Sequence, residues 1–199
     1  MSLFGREEQL ELVMRRWSQA KLGEGRIVLL SGEPGIGKSR LTAAVQEKIA
    51  SEPHTRMRYF CSPHHQDSPL YPIVAQLERA CGFARGDTSD TKLAKLKAVL
   101  MPASPSAEEV TLIAEFLSIP LSNQYPAVPL NPERKKEKTF DALLCQVEAI
   151  ARANPVLMVY EDVHWMDPSS RELLDLLVER VRALPALVVI TFRSEFEPP

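Results

Sequence analysis

The sequence predicts a three-layer α/β fold: a mainly parallel core sheet between helices, with a helical insertion between strands two and three. Three observations carry that prediction. The apolar runs "RIVLL", "VLMVY" and "ALVVITF" are continuous rather than alternating, the mark of strands buried on both faces. Helical patterns separate them, which requires crossover connections and therefore parallel pairing. A glycine-rich turn, "SGEPGIGKS", joins the first run directly to a helix.

Taken in order, "REEQLELVMRRWSQAKLGEG" sets Leu10, Val13, Met14 and Trp17 at helical spacing and stops at glycines. "RIVLL" reads as a short buried strand, and "KSRLTAAVQEKIA" as a helix with Leu41, Ala44, Val45 and Ile49 on one face. "RMRYFC" is the second strand. The stretch between Cys61 and Pro155 shows no strand pattern but four helical ones, the third opened by Ser106 and Glu109 at capping-box spacing. These define an insertion over residues 62–154 of a domain spanning 1–199. The proline-rich "SIPLSNQYPAVPLNP" within it reads as a linker or flexible loop. "VLMVY" is the third strand. A helix follows with Asp167 at its N-cap and Pro168 at its first position, and "ALVVITF" is the fourth strand.

The 199 residues suffice for one globular domain with a substantial core. Lys plus Arg number 24 against 26 Asp plus Glu, so no basic field argues for nucleic acid. No apolar run is long enough to span a bilayer, and the N-terminus has no signal-peptide pattern. Three widely spaced cysteines, Cys61, Cys81 and Cys145, suit free thiols in a reducing cytoplasm. The expectation is a monomeric cytoplasmic domain without membrane or nucleic-acid partners.

Residues 32–39 fit G-x-x-x-x-G-K-[ST] between a predicted strand and a predicted helix. Glycines let backbone N–H groups turn inward onto phosphate oxygens, and the helix N-terminus adds unsatisfied donors. Lys38 is a point charge for the β- and γ-phosphates, and the Ser39 hydroxyl is a ligand for Mg²⁺. A plain Gly/Pro turn with a surface lysine would not need both flanking elements. The fold class sharpens accordingly to a P-loop nucleoside-triphosphatase.

A metal site also needs a carboxylate from the end of another core strand. "VLMVYED" supplies Glu161 and Asp162. One can hold Mg²⁺ while the other orients or deprotonates an attacking water. Neighbouring strand residues point to opposite faces, so the two cannot face the metal alike. At the end of the fourth strand, Thr191 or Arg193 is placed to sense the γ-phosphate or the water, since ligands gather at the carboxyl ends of parallel strands.

With these blocks in view, "FGREEQLELV", "GEPGIGKSRL", "VLMVYEDVHWMDPSSRELLDLLVERV" and "LVVITFRSEFEPP" resemble the AAA-type ATPase module of the signal-transduction nucleoside-triphosphatases. The nearest likeness is to the module attached to class III adenylate/guanylate cyclases in multidomain bacterial regulators, and it covers nearly the whole chain. The resemblance implies ATP and Mg²⁺ as cofactors and slow hydrolysis that regulates an attached output domain of the same polypeptide. It implies that Phe4, Gly5 and Arg6 lie near the adenine and that Glu33, Pro34, Gly35, Ile36, Gly37, Lys38, Ser39 and Arg40 hold the nucleotide. Glu161 takes the metal-carboxylate position with Ser39, Asp162 the catalytic-acid position, and Arg193 the sensor position, so that Asp162, Lys38 and Arg193 form the catalytic set. The metal position is usually aspartate, and the family's fifth strand and helical lid are expected beyond the fourth strand. No cyclase residues are identifiable. Two other functions fit the same loop: a nucleotide switch without turnover, and a small-molecule kinase, for which no acceptor pocket is legible.

Other features read more plainly. "CSPHHQD" offers Cys61, His64, His65 and Asp67 but no second ligand pair, so it reads as a polar loop rather than a zinc site. "ERKKEK" alternates charge like a solvated helix face. His164 and Trp165 read as packing of a strand-to-helix connection, and Leu173, Leu174, Leu177, Val178 and Val181 as helix-on-sheet core.

Overall fold

Each apolar run becomes a strand of one all-parallel sheet in the computed structural model, which describes residues 5–121 and 128–196. The strands are β1 (Arg26–Ser31), β2 (Thr55–Phe60), β3 (Val156–Glu161) and β4 (Ala186–Phe192), in spatial order β1-β4-β3-β2. Chain order and spatial order differ because parallel neighbours need crossovers. The helices are α1 (Glu7–Ala20), α2 (Lys38–Ile49), α3 (Tyr71–Cys81), α4 (Ser89–Leu100), α5 (Ala107–Phe116), α6 (Pro132–Ala153) and α7 (Pro168–Val181). Among the described residues no helix is long and apolar enough to cross a membrane.

The described residues divide into two compact units. One comprises those up to Pro72 and from Ala151 onward, with the sheet, α1, α2 and α7; the other, Ile73–Ile150, is helical. The segment predicted as a linker includes residues 122–127, which lie outside the described residues, as do Phe4 and residues 197–199.

In the sheet unit, β3 and β4 are buried along their whole length, which accounts for their non-alternating composition. Their odd-numbered residues Leu157, Val159, Leu187 and Val189 form one cluster with Val13, Trp17 and Ala20 of α1 and Val45 and Ile49 of α2. The even-numbered Val156, Met158, Tyr160, Val188 and Ile190 face the other way and are equally buried. Trp17 is fully enclosed, and its indole N–H donates to Glu52 at 3.0 Å, so the buried ring keeps a polar partner. β1 departs from the sequence expectation. It is an edge strand of this sheet, paired with β4 alone among the described strands, and Leu29 is 47% exposed. A continuous apolar run does not by itself distinguish a central strand from an edge.

In the helical unit, α5 carries the expected capping box: Glu109 N–H donates to Ser106 Oγ at 3.2 Å, and Ser106 N–H to the Glu109 carboxylate at 2.7 Å. Its core is made by Leu93, Leu96 and Leu100 of α4, Leu112 and Ile113 of α5, and Phe140, Leu143 and Leu144 of α6. Gln146 of α6 is buried among them and donates its amide to the Val99 carbonyl.

Gly25 precedes β1 where the end of α7 passes against it. A Cβ there would lie 1.8 Å from the Val181 carbonyl oxygen, a backbone atom that cannot rotate away. Gly25→Ala is expected to lower stability by about 1–3 kcal/mol through overpacking, read as a reduced urea midpoint at unchanged slope. A wild-type midpoint would contradict this packing.

Candidate functional site

The carboxyl end of the sheet turns sequence-distant groups toward one another. After β1 the chain enters the glycine-rich loop, where Gly35 and Gly37 take φ of +80° and +96°, a region that costs a side chain energy and glycine little. Gly37 is the N-cap of α2 and supplies no side-chain cap, so the first N–H groups of this twelve-residue helix stay open to an anion. Lys38 is largely buried, 9% exposed, and folds back over its own loop, donating to the carbonyls of Gly32 and of Glu33, the latter at 3.1 Å. An ammonium has three donors, so one remains for another acceptor. Glu33 accepts from Ser194 Oγ at 2.8 Å, and Gly32 N–H donates to the Phe192 carbonyl at 3.3 Å, tying the loop to the end of β4.

After β3 the two acids part company. Glu161, the last strand residue, points to the side of Arg58 on β2. Its carboxylate is buried, 5% exposed, and takes two bonds from that guanidinium, at 2.6 and 3.0 Å. The pairing raises the Arg58 pKa above its usual value. Asp162 then adopts the left-handed conformation, φ +56° and ψ +46°, which Asp tolerates better than most residues. Its backbone N–H donates to the hydroxyl of buried Thr191 on β4 at 3.0 Å. The turn carries the Asp162 side chain to the loop, and a 3₁₀ turn over Val163–Trp165 leads into α7.

There, Pro34, Gly35, Gly37, Lys38, Ser39 and Arg40 share a cavity of about 320 Å³ with Asp162, His164, Trp165 and Arg193. The cations Lys38, Arg40 and Arg193 outnumber the carboxylate of Asp162, so the cavity suits a multiply charged anion. The Arg193 guanidinium lies over the Trp165 ring at 5.4 Å. Burial lowers the His164 pKa below the usual range, and its imidazole ring packs at 5.0 Å on Trp165. Another, wider cleft of about 870 Å³ runs along α1 and Lys48; it lies on a helix face of mixed charge, away from the strand ends.

Of the residues predicted for the site, Pro34, Gly35, Gly37, Lys38, Ser39, Arg40, Asp162 and Arg193 meet at the cavity. The Arg6 side chain lies beside the loop, its Cζ 3.8 Å from where a Cβ on Gly37 would sit, and Gly5 forms the turn before α1. Ile36 is at the exposed loop tip, 49% exposed. Glu161, expected to share a metal with Ser39, pairs its carboxylate with Arg58 and is not among the described residues that line the cavity. His164 and Trp165 were expected to be packing; they line the cavity and Trp165 is only half-buried. Their place after a central parallel strand was the available signal. In "CSPHHQD", Pro63–His65 form a 3₁₀ turn, His65 stacks on Tyr71 at 3.5 Å, and burial pushes the Cys61 thiol up to about 12. Among the described residues no group of three or more His, Cys, Asp or Glu side chains is placed to hold a metal ion.

The strand–loop–helix geometry agrees with comparison to known proteins. Residues 2–190 match the family described as the AAA ATPase domain. The chain belongs to that family. The match takes in the loop, Asp162 and His164 and ends before Arg193. This AAA ATPase domain is 30% identical over 196 residues to an uncharacterized protein of Rhizobium meliloti (strain 1021), covering 98% of this chain and 19% of that protein. It is 22% identical over 182 residues to hybrid signal transduction histidine kinase G of Dictyostelium discoideum, covering 89% of this chain and 5% of the kinase. The chain thus spans a small part of the curated relatives it matches.

Arg58→Met would strand the Glu161 carboxylate away from water. Since Arg58 is itself 54% exposed, the expected loss is about 1–3 kcal/mol, below that for a fully buried pair. Adding Glu161→Gln should recover part of it in a double-mutant cycle by urea unfolding; purely additive losses would contradict the coupling.

Proposed function

We propose that this AAA ATPase domain binds Mg²⁺-ATP in the loop cavity, hydrolyses it slowly, and uses the nucleotide state to regulate an output domain of the same longer polypeptide. The observation that carries the reading is the convergence of Lys38, Asp162 and Arg193 on one cavity at an open helix N-terminus. The length of the relatives supports a multidomain setting, and a signalling role rests on likeness to a signal transduction kinase. The free cysteines support a reducing, cytoplasmic setting.

Loop N–H groups of residues 35–39 and Lys38 would bind the β- and γ-phosphates, and Arg193 would neutralise charge at the far side. Arg6, beside Gly37, is the described residue of the predicted adenine contact with a side chain to offer. The Ser39 hydroxyl and Asp162 carboxylate are hard oxygen donors and fit Mg²⁺, which supplies charge neutralisation on the phosphoryl oxygens when bound. An Asp162 carboxylate oxygen would also accept a hydrogen bond from the water that attacks the γ-phosphorus. The bond to the β–γ bridging oxygen breaks, giving ADP and phosphate. One observation favours the alternative of a switch without turnover: Arg58 holds Glu161, which leaves Asp162 the one carboxylate among the described residues that line the cavity.

Lys38→Ala is expected to lower ATP affinity at least tenfold, and Asp162→Asn to keep binding but abolish single-turnover ADP formation. Undiminished affinity in Lys38→Ala would refute the site. Binding without ADP formation in the unaltered protein would select the switch without turnover.

A further inference from the structure

His164 is half-buried, and its two ring nitrogens are polar atoms without a partner. Both ring nitrogens are shielded from solvent, and neither makes a hydrogen bond among the described residues. Native proteins seldom leave such groups unpaired, and an exception at a ligand cavity points to the ligand. The charged groups that act on the ring are Asp162, Arg193, Glu195 and Lys38, three of which line the same cavity, yet none bonds to it. Packing on Trp165 is the ring contact it makes, so it can rotate without breaking a hydrogen bond.

The cavity has two contributors. Loop and α2 residues supply the donors that hold a diphosphate, while Asp162, His164, Trp165 and Arg193 come from the strand ends. A diphosphate held by the loop satisfies the first set; a third phosphoryl group extends toward the second. In either neutral tautomer imidazole keeps one N–H donor, and that donor has no acceptor among the described residues.

We infer that His164 is a specificity-determining residue that donates its ring N–H to an oxygen of the terminal phosphoryl group, so that the site tells a nucleoside triphosphate from a diphosphate. This rests on the nucleotide reading above. The hydrogen bond is made by the triphosphate and not the diphosphate, and the ring changes rotamer to make it. The inference concerns binding and holds with or without turnover.

The test is equilibrium binding of a non-hydrolysable β,γ-imido ATP analogue and of ADP, each with Mg²⁺, to the unaltered protein, His164→Phe and His164→Gln. Phe keeps a flat ring without a donor; Gln restores an N–H. The expected result is that His164→Phe weakens the triphosphate analogue about tenfold, the scale of one hydrogen bond to a charged group. ADP affinity should change less than about twofold, and His164→Gln should recover part of the loss. ADP binding also reports that each variant is folded. Equal weakening of both ligands, or of neither, overturns the inference while leaving the nucleotide site standing. Failure of the unaltered protein to bind either nucleotide overturns both.

Discussion

The hydrogen bond from the Asp162 N–H to the Thr191 hydroxyl is the constraint on which the site geometry depends. It joins the ends of the two central strands and gives a partner to the backbone donor of a left-handed residue. One peptide unit thereby separates two adjacent acids. Glu161 stays in strand geometry and pairs with β2, while Asp162 swings to the phosphate loop. Were β3 to continue by one more extended residue, the turn that brings Asp162, His164 and Trp165 to the cavity would be lost.

The sheet supplies the rigidity that such a turn needs. β3 and β4 are buried along both faces, so their ends are held by packing, and functional groups sit on short connections beyond them. The loop is braced on the same platform through Gly32 to Phe192 and Glu33 to Ser194. Lys38, clasped by the carbonyls of its own loop, adds positive charge without a floppy side chain. Asp167 plays a comparable structural part at the start of α7. Its carboxylate accepts from Ser169 and Ser170 N–H and from Leu70 N–H at 3.1 Å, so one cap fixes the helix and the connection after β2 together.

What the sequence discloses follows the range of the interactions. The helices, the capping box of Ser106 with Glu109, the Asp167 cap and the residue 32–39 loop are local patterns, and they are legible. The central strands are legible because burial on both faces removes alternation. β1 is legible as a strand but not as a half-exposed edge, because its apolar run resembles theirs. The Arg58–Glu161 pair spans 103 residues and depends on which strand neighbours β3, which no local spacing states. Thr191 reads from the sequence as a contact to the γ-phosphate or the water, and its bond from the Asp162 N–H is visible only once the turn there is seen. His164 and Trp165 look like packing residues because an imidazole without a partner is visible only in three dimensions.

On the proposed reading, the loop and the turn after β3 form one nucleotide site. Hydrogen–deuterium exchange of the unaltered protein, with and without saturating Mg²⁺-ATP, tests it most directly. Slower exchange is expected at amides of residues 35–39 and 162–165 together, with α1 outside the loop contact unchanged. Exchange unaltered at both segments, or slowed along the α1 cleft alone, would contradict it.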